Sequence, residues 1–306
     1  MSKIYKYFSA DVIKKVFPDD DFCNLKCSFP KDYNDPYELF LGLKRDLKPE
    51  YLAFYNEIVH ELPQFPTTCF SKSPISSPMW AHYANNHSGF AIEFEMEKLQ
   101  QYFDGCPIWD VSYRKEPHPN LSDILVKAAG TLKPRHVQDL RKYTFVEAYF
   151  SKYEEWSYEN EIRFVDTLNM TKKIEGNDIL RVPLECVTKI LVGPRANEDF
   201  IVSSLRVAER IKLDWLKQIV GKSNPKPYFI DFEKRSFHFN NNQLRLAEHL
   251  CQSCSEPLLI EDKLCPWCKV TDWHEEDAAR NNPFRLLESA GLLEEYLKGY
   301  NEIKKN

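Results

Sequence analysis

The sequence predicts an α+β domain in which a mixed or antiparallel sheet carries flanking helices, followed by a small module stapled by cysteines. Three observations lead there. Strand-like and helical segments follow one another without strict alternation, which argues against a doubly wound parallel sheet. Hydrophobic residues make up 43 % of the 306 residues, enough for a real core in one large or two smaller domains. Four cysteines near the C-terminus stand in two Cys-x2-Cys pairs.

Each element has a local reason. Residues 4–8, 67–71, 90–94 and 159–165 carry the β-branched, aromatic and alternating patterns of sheet strands. Leu25, Cys27 and Phe29 alternate with polar residues, and 108–113, 179–183 and 187–192 read as further strands. Ser9 is placed to cap a short helix whose Val12, Ile13, Val16 and Phe17 share a face, stopped by Pro18. Pro49 opens a helix with Tyr51, Leu52, Tyr55, Ile58, Val59 and Leu62 along one side. Met79–Ala84, 135–153 and 199–211 are helical by pattern, and 228–239 reads as a hairpin or extended pair. The polar run Asn240-Asn241-Asn242 divides a main domain, 1–240, from a module with a C-terminal helix, 241–306.

In the module, Cys251, Cys254, Cys265 and Cys268 give the spacing C-x2-C-x10-C-x2-C. Two residues between thiolates let one turn present both sulfurs to one ion, and two such knuckles complete a tetrahedral shell. The expectation is a structural zinc ribbon with no open coordination position, hence no catalysis at the metal. The ribbon stabilises a segment without a core of its own, or docks a protein; the acidic residues around it argue against tight phosphate binding. The other five cysteines read as buried thiols of a reducing compartment. With a net charge of −5, no signal-like opening and no long apolar run, the expected setting is cytoplasmic, without a membrane partner.

Four clusters stand out in the main domain: Ile4-Tyr5-Lys6-Tyr7; Asn34-Asp35-Pro36-Tyr37-Glu38; Phe70-Ser71 with Met79-Trp80-Ala81-His82-Tyr83-Ala84 and His87-Ser88-Gly89-Phe90; and Trp156-Ser157-Tyr158-Glu159-Asn160-Glu161-Ile162-Arg163. On a strand, Glu159, Glu161 and Arg163 share one face. Two carboxylates so placed share a cleft in which Arg163 holds one ionised, or form a solvated face with a cross-strand ion pair. Trp80, Tyr83 and His87 share a helical face, with His82 beside it. That stripe serves either a core or a ring-binding pocket, and Asn34-Asp35-Pro36 serves either a site or an Asx turn.

Taken together and in this order, the clusters resemble a bacterial family catalogued as domain of unknown function 2971, over roughly residues 3–195. That family is similar to the ADP-ribosyltransferase superfamily. The resemblance implies an ADP-ribosyltransferase-like fold with NAD as co-substrate. It implies that Glu161 binds the nicotinamide-ribose hydroxyl and stabilises an oxocarbenium-like transition state, and that Glu159 orients or activates the acceptor. Lys6 and Ser71 would position ribose and phosphates, and Tyr83 or Trp80 would stack on nicotinamide. Tyr7, Asn34, Asp35, His82 and Arg163 complete the implied binding set. The sequence departs from the superfamily at Lys6-Tyr7, where a His or Arg is the rule. The acceptor would be a protein or nucleic acid, and an antitoxin or other protein partner would use the ribbon, in the manner of a toxin or phage-defence effector. The same carboxylates also suit an N-glycosidase or hydrolase acting on NAD or another nucleotide, and a noncatalytic binding module is the third reading. Glu161→Gln is expected to cost turnover and spare the melting temperature.

Overall fold

A computed structural model describes residues 2–33, 43–44, 46–60, 62–118, 120–258 and 261–303. Among these residues the first strands are β1 (Lys3–Phe8), β2 (Phe22–Cys27), β3 (Thr67–Ser71), β4 (Phe90–Glu95), β5 (Ile108–Asp110), β6 (Ser112–Arg114) and β7 (Ser151–Tyr153). They continue as β8 (Glu161–Val165), β9 (Lys172–Ile174), β10 (Asn177–Pro183), β11 (Val187–Val192), β12 (Asp214–Ile219), β13 (Tyr228–Ile230), β14 (Ser236–Asn240) and β15 (Gln243–Leu246). The helices are α1 (Ile13–Val16), α2 (Pro49–His60), α3 (Ser77–Tyr83), α4 (Met96–Tyr102), α5 (Leu121–Thr131), α6 (Pro134–Phe150) and α7 (Glu198–Arg210). Three more, α8 (Asp272–Arg280), α9 (Pro283–Ser289) and α10 (Leu293–Ile303), end the chain.

The architecture is mixed α+β. One ten-stranded sheet runs in the order β15-β14-β13-β12-β11-β4-β1-β3-β8-β5, and β2-β10-β9 form a second sheet. Neighbours in the large sheet are antiparallel except β11 and β12, which are parallel and joined through α7. Strand β4 is buried on both faces, which explains its nearly continuous apolar run. Phe90, Ile92 and Phe94 pack with Ile13 and Val16 of α1, Leu25 of β2 and Leu180 of β10. Ala91 faces the other way, toward Tyr5, Tyr7, Met79, Trp80 and Phe229. Helices α2, α5 and α6 share a separate cluster around Ile58, Leu121, Leu125 and Leu140.

Several expectations change. The strand expected over 159–165 begins at Glu161; Glu154–Glu159 is a 3-10 turn, and Asn160 takes a φ of 45°. Asn tolerates that left-handed conformation better than most residues, so the chain reverses there instead of extending. Residues 108–113 divide between β5 and β6, which belong to different sheets. The long helix stops at Phe150, and Ser151–Tyr153 continues as β7. Ser9 makes no side-chain cap. Strand β12 was not foreseen. Asn241 and Asn242, with φ of 48° and 60°, form the turn between β14 and β15, so the large sheet runs on to Leu246. Asn34 and Asp35 lie outside the described residues. The five cysteines of the main domain are free thiols, three buried and two half-buried. No helix among the described residues is long and apolar enough to cross a membrane.

Candidate functional site

Strands β1, β3 and β8 lie side by side, and their register decides what meets what. Tyr5 is opposite Ser71, Ser71 opposite Glu161, and Cys69 opposite Arg163. With side chains alternating, these residues share one face. Strands β1 and β3 pair only at Tyr5 and Ser71. Lys6 points to the opposite face from Tyr5, and its Nζ donates to the Cys69 carbonyl oxygen at 3.1 Å across the parting of the two strands. A cavity of about 210 Å³ opens here, lined by Lys6, Tyr7, Ser71, Tyr83, Lys152, Glu159, Glu161 and Arg163 among others.

Glu159, Glu161, Lys152 and Arg163 are 3, 5, 6 and 1 % exposed, so the solvated-face reading of the carboxylates fails. Arg163 grips Glu161 with two donors, Nε to Oε1 at 2.8 Å and Nη2 to Oε2 at 3.0 Å, and also donates to the Tyr149 carbonyl. Lys152 Nζ lies 2.6 Å from Glu159 Oε2 and 3.4 Å from Glu161 Oε2, over the Trp156 ring. The Tyr83 hydroxyl donates to Glu159 Oε1 at 2.6 Å. The Glu161 N–H donates to the Tyr113 hydroxyl at 2.8 Å. Burial alone would raise the Glu161 carboxyl, but Arg163 and then Lys152 outweigh it and hold it well below the ordinary glutamate range. For Glu159 burial prevails over Lys152, the Glu161 charge adds to it, and its carboxyl is raised. Two neighbouring carboxyls are thus driven in opposite directions, Glu161 below and Glu159 above the ordinary glutamate range.

Most of the expected residues converge, with corrections. Glu159 arrives from the 3-10 turn and not from the strand. Ser71 is fully buried, and its hydroxyl donates to the Glu159 carbonyl oxygen at 2.6 Å, so it fixes that turn. The Tyr7 hydroxyl donates to the Ser73 carbonyl at 2.6 Å. Trp80 does not line the cavity. It is fully buried, edge-on to Tyr7 at 5.2 Å, with Nε1 donating to the Pro74 carbonyl; the stripe serves the core at this residue. His82 is exposed beside the Tyr83 and Tyr158 rings and outside the cavity lining. The His87-Ser88-Gly89 segment is a matter of backbone: Asn85, Asn86 and His87 all have positive φ, and a Cβ on Gly89 would sit 2.1 Å from the Phe8 carbonyl oxygen. Lys152 and Tyr113 were missed. Lys152 was hidden inside a segment read as helix, and Tyr113 was read only as the end of a strand.

With this geometry fixed, comparison with known proteins gives one match. Residues 79–164 match the family model described as a protein of unknown function, DUF2971. The matched segment runs from Met79 on α3 to Phe164 on β8, so it contains Tyr83, Lys152, Glu159, Glu161 and Arg163. Lys6, Ser71 and the C-terminal cysteines fall outside it. No curated protein and no solved structure matches the chain.

The four C-terminal cysteines come together after β15. Their sulfurs all lie within 4.8 Å of one another, and Cys254 Sγ is 3.8 Å from Cys265 Sγ. A tetrahedral ion with Zn–S bonds of about 2.3 Å requires sulfurs about 3.8 Å apart. The set is therefore compatible with structural zinc. Glu256, buried just beyond the first knuckle, accepts from the Lys222 and Ser223 N–H groups, and the Ser236 hydroxyl donates to the Ser255 carbonyl. These bonds tie the knuckle to the large sheet and to the loop that precedes β13.

Proposed function

We propose that the cleft between β1, β3 and β8 cleaves an N-ribosyl bond, as an ADP-ribosyltransferase acting on NAD, and that the four cysteines hold one structural zinc. The carrying observation is the buried pair Glu159 and Glu161, with Lys152 Nζ 2.6 Å from one and 3.4 Å from the other and Arg163 gripping Glu161 through two donors. An N-ribosyl bond breaks through a cationic ribosyl centre. Glu161, kept ionised, stabilises that centre more as its charge develops than in the ground state, which is what lowers the barrier. Arg163 holds the carboxylate in place and tempers its charge. Glu159, with the higher affinity for a proton, takes the proton of the acceptor nucleophile, oriented by Tyr83. A cavity of about 210 Å³ is below the roughly 300–1,000 Å³ that encloses a drug-sized ligand, so it takes the ribosyl end of a dinucleotide and not the whole of it.

The second reading is hydrolysis of the same bond, favoured by the same Glu159, which deprotonates water as readily as a macromolecular acceptor. Nicotinamide release from NAD, followed with and without protein and nucleic-acid acceptors, tests both. Release with a mass-detected ADP-ribose adduct supports transfer; release without an adduct supports hydrolysis. Glu161→Gln should lower either rate by about a hundredfold or more. Absence of NAD binding and of nicotinamide release in the presence of acceptors would overturn both readings.

A further inference from the structure

From 266 to 301 not one residue is buried. Helices α8, α9 and α10 touch one another in sequence, and the Phe284 and Tyr296 rings meet edge to face at 6.2 Å. Yet Trp273, Phe284, Tyr296 and Leu297 remain 63, 51, 49 and 41 % exposed. These helices span 9, 7 and 11 residues. Isolated helices shorter than about 12–15 residues are marginal in water and draw their stability from burying an apolar face. On α10, Leu293, Tyr296 and Leu297 recur at the spacing of one such face. The tail therefore carries an apolar surface that stays exposed among the described residues.

Charge selects the occupant. Residues 271–303 hold eight Asp and Glu against three Lys and Arg. Counted to Asn306, which adds Lys304 and Lys305, the tail still carries −3 of the net charge of −5, and the remaining 38 acidic and 36 basic residues carry only −2. A second copy would bring two such tails together, and nucleic acid or an anionic membrane would be repelled. A cationic amphipathic surface is complementary on both counts.

We propose that α8–α10 form a docking surface for a partner protein that presents a basic amphipathic helix, with Phe284, Tyr296 and Leu297 at its centre. The apolar contacts supply the affinity, and the carboxylates of Glu288, Glu294 and Glu295 supply on-rate and orientation. The surface stands apart from the cleft chemistry.

The test uses the full zinc-loaded chain. The probe is a Leu/Lys peptide of about 18 residues, roughly five helical turns, with leucines at i, i+3, i+4 and i+7. A peptide of the same composition in scrambled order is the control. Calorimetry should find saturable binding of the patterned peptide, and amide exchange should slow at 272–303 while β1, β3 and β8 stay unchanged. Phe284→Ala with Tyr296→Ala should weaken binding by about tenfold or more. Glu294→Gln with Glu295→Gln, which keeps the apolar face, should weaken it and flatten its salt dependence. Equal binding of the scrambled peptide, undiminished binding by the Phe284/Tyr296 variant, or tail amides already protected in a dimer detected by light scattering would each overturn the proposal.

Discussion

At the scale of single residues, the cleft depends on which charges are left when one is removed. Glu161→Gln leaves Arg163 and Lys152 facing a neutral amide in a buried site. Breaking a buried pair from one side costs about 3–5 kcal/mol, so this variant should melt earlier than wild type, contrary to the sequence-based expectation of an unchanged melting temperature. The pH dependence follows from the same pairing. The folded carboxyl of Glu161 lies at about 2, below an unfolded value of about 4.3. Its contribution is therefore full above about pH 4.3 and disappears as pH falls toward 2. Urea unfolding at successive pH values should show wild type losing stability over that window and Glu161→Gln losing less. Lys152 offers a complementary test. It is the largest influence opposing the upward shift of Glu159. In Lys152→Met the Glu159 carboxyl, followed by carbon-13 NMR, should titrate higher than in wild type. An unmoved titration would mean that Lys152 does not set the proton affinity of Glu159.

At the scale of elements, the turn between α3 and β4 holds the two central strands in contact with the helix that carries Tyr83. Gly89 lies there because a Cβ would strike the Phe8 carbonyl at 2.1 Å and the Ala84 carbonyl at 3.0 Å, both backbone atoms that cannot swing aside. Gly89→Ala should therefore cost about 1–3 kcal/mol or more in chemical denaturation, the range for forced overpacking. Because β1 and α3 both shift when that contact opens, nicotinamide release should be lower in Gly89→Ala than in wild type. A variant as stable as wild type would show that the turn has room to relax. The 3-10 turn before β8 plays the corresponding part on the other side of the cleft. Its end at Asn160, with positive φ, turns Glu159 toward Lys152, and the Ser71 hydroxyl fastens its carbonyl.

At the scale of the whole molecule, the cysteine cluster and the cleft are held by different parts of the large sheet. Elemental analysis should find about one zinc per chain, as for other four-cysteine sites. Chelation should raise amide exchange across 249–270 and also at 221–223, because Glu256 links the knuckle to that loop. Exchange in β1, β3 and β8 should stay as it was, since among the described residues the knuckle bonds to β14 and to the loop before β13. A metal-free chain with an ordered C-terminus would sink the zinc assignment, and loss of protection throughout the sheet would show that the two parts unfold together.

Features that local chemistry encodes were legible in the chain alone. Cys-x2-Cys spacing is a property of one turn, so the convergence of the four sulfurs was legible from spacing. The alternating and apolar runs of β1, β3, β4 and β8 were legible because side-chain direction has a period of two. Short-range reading failed where partners far apart in sequence decide the outcome. Trp80 belongs to the core because Tyr7 and Pro74 close around it, and nothing in Met79–Ala84 distinguishes that from a pocket wall. Lys152 reaches Glu159 only because the helix before it ends at Phe150 and the chain turns back at Asn160. The opposed ionisation of Glu159 and Glu161 is tertiary in origin. It arises from burial and from the placement of Arg163 and Lys152, and Coulomb energies at a few ångströms in a low dielectric far exceed any preference that the local sequence carries.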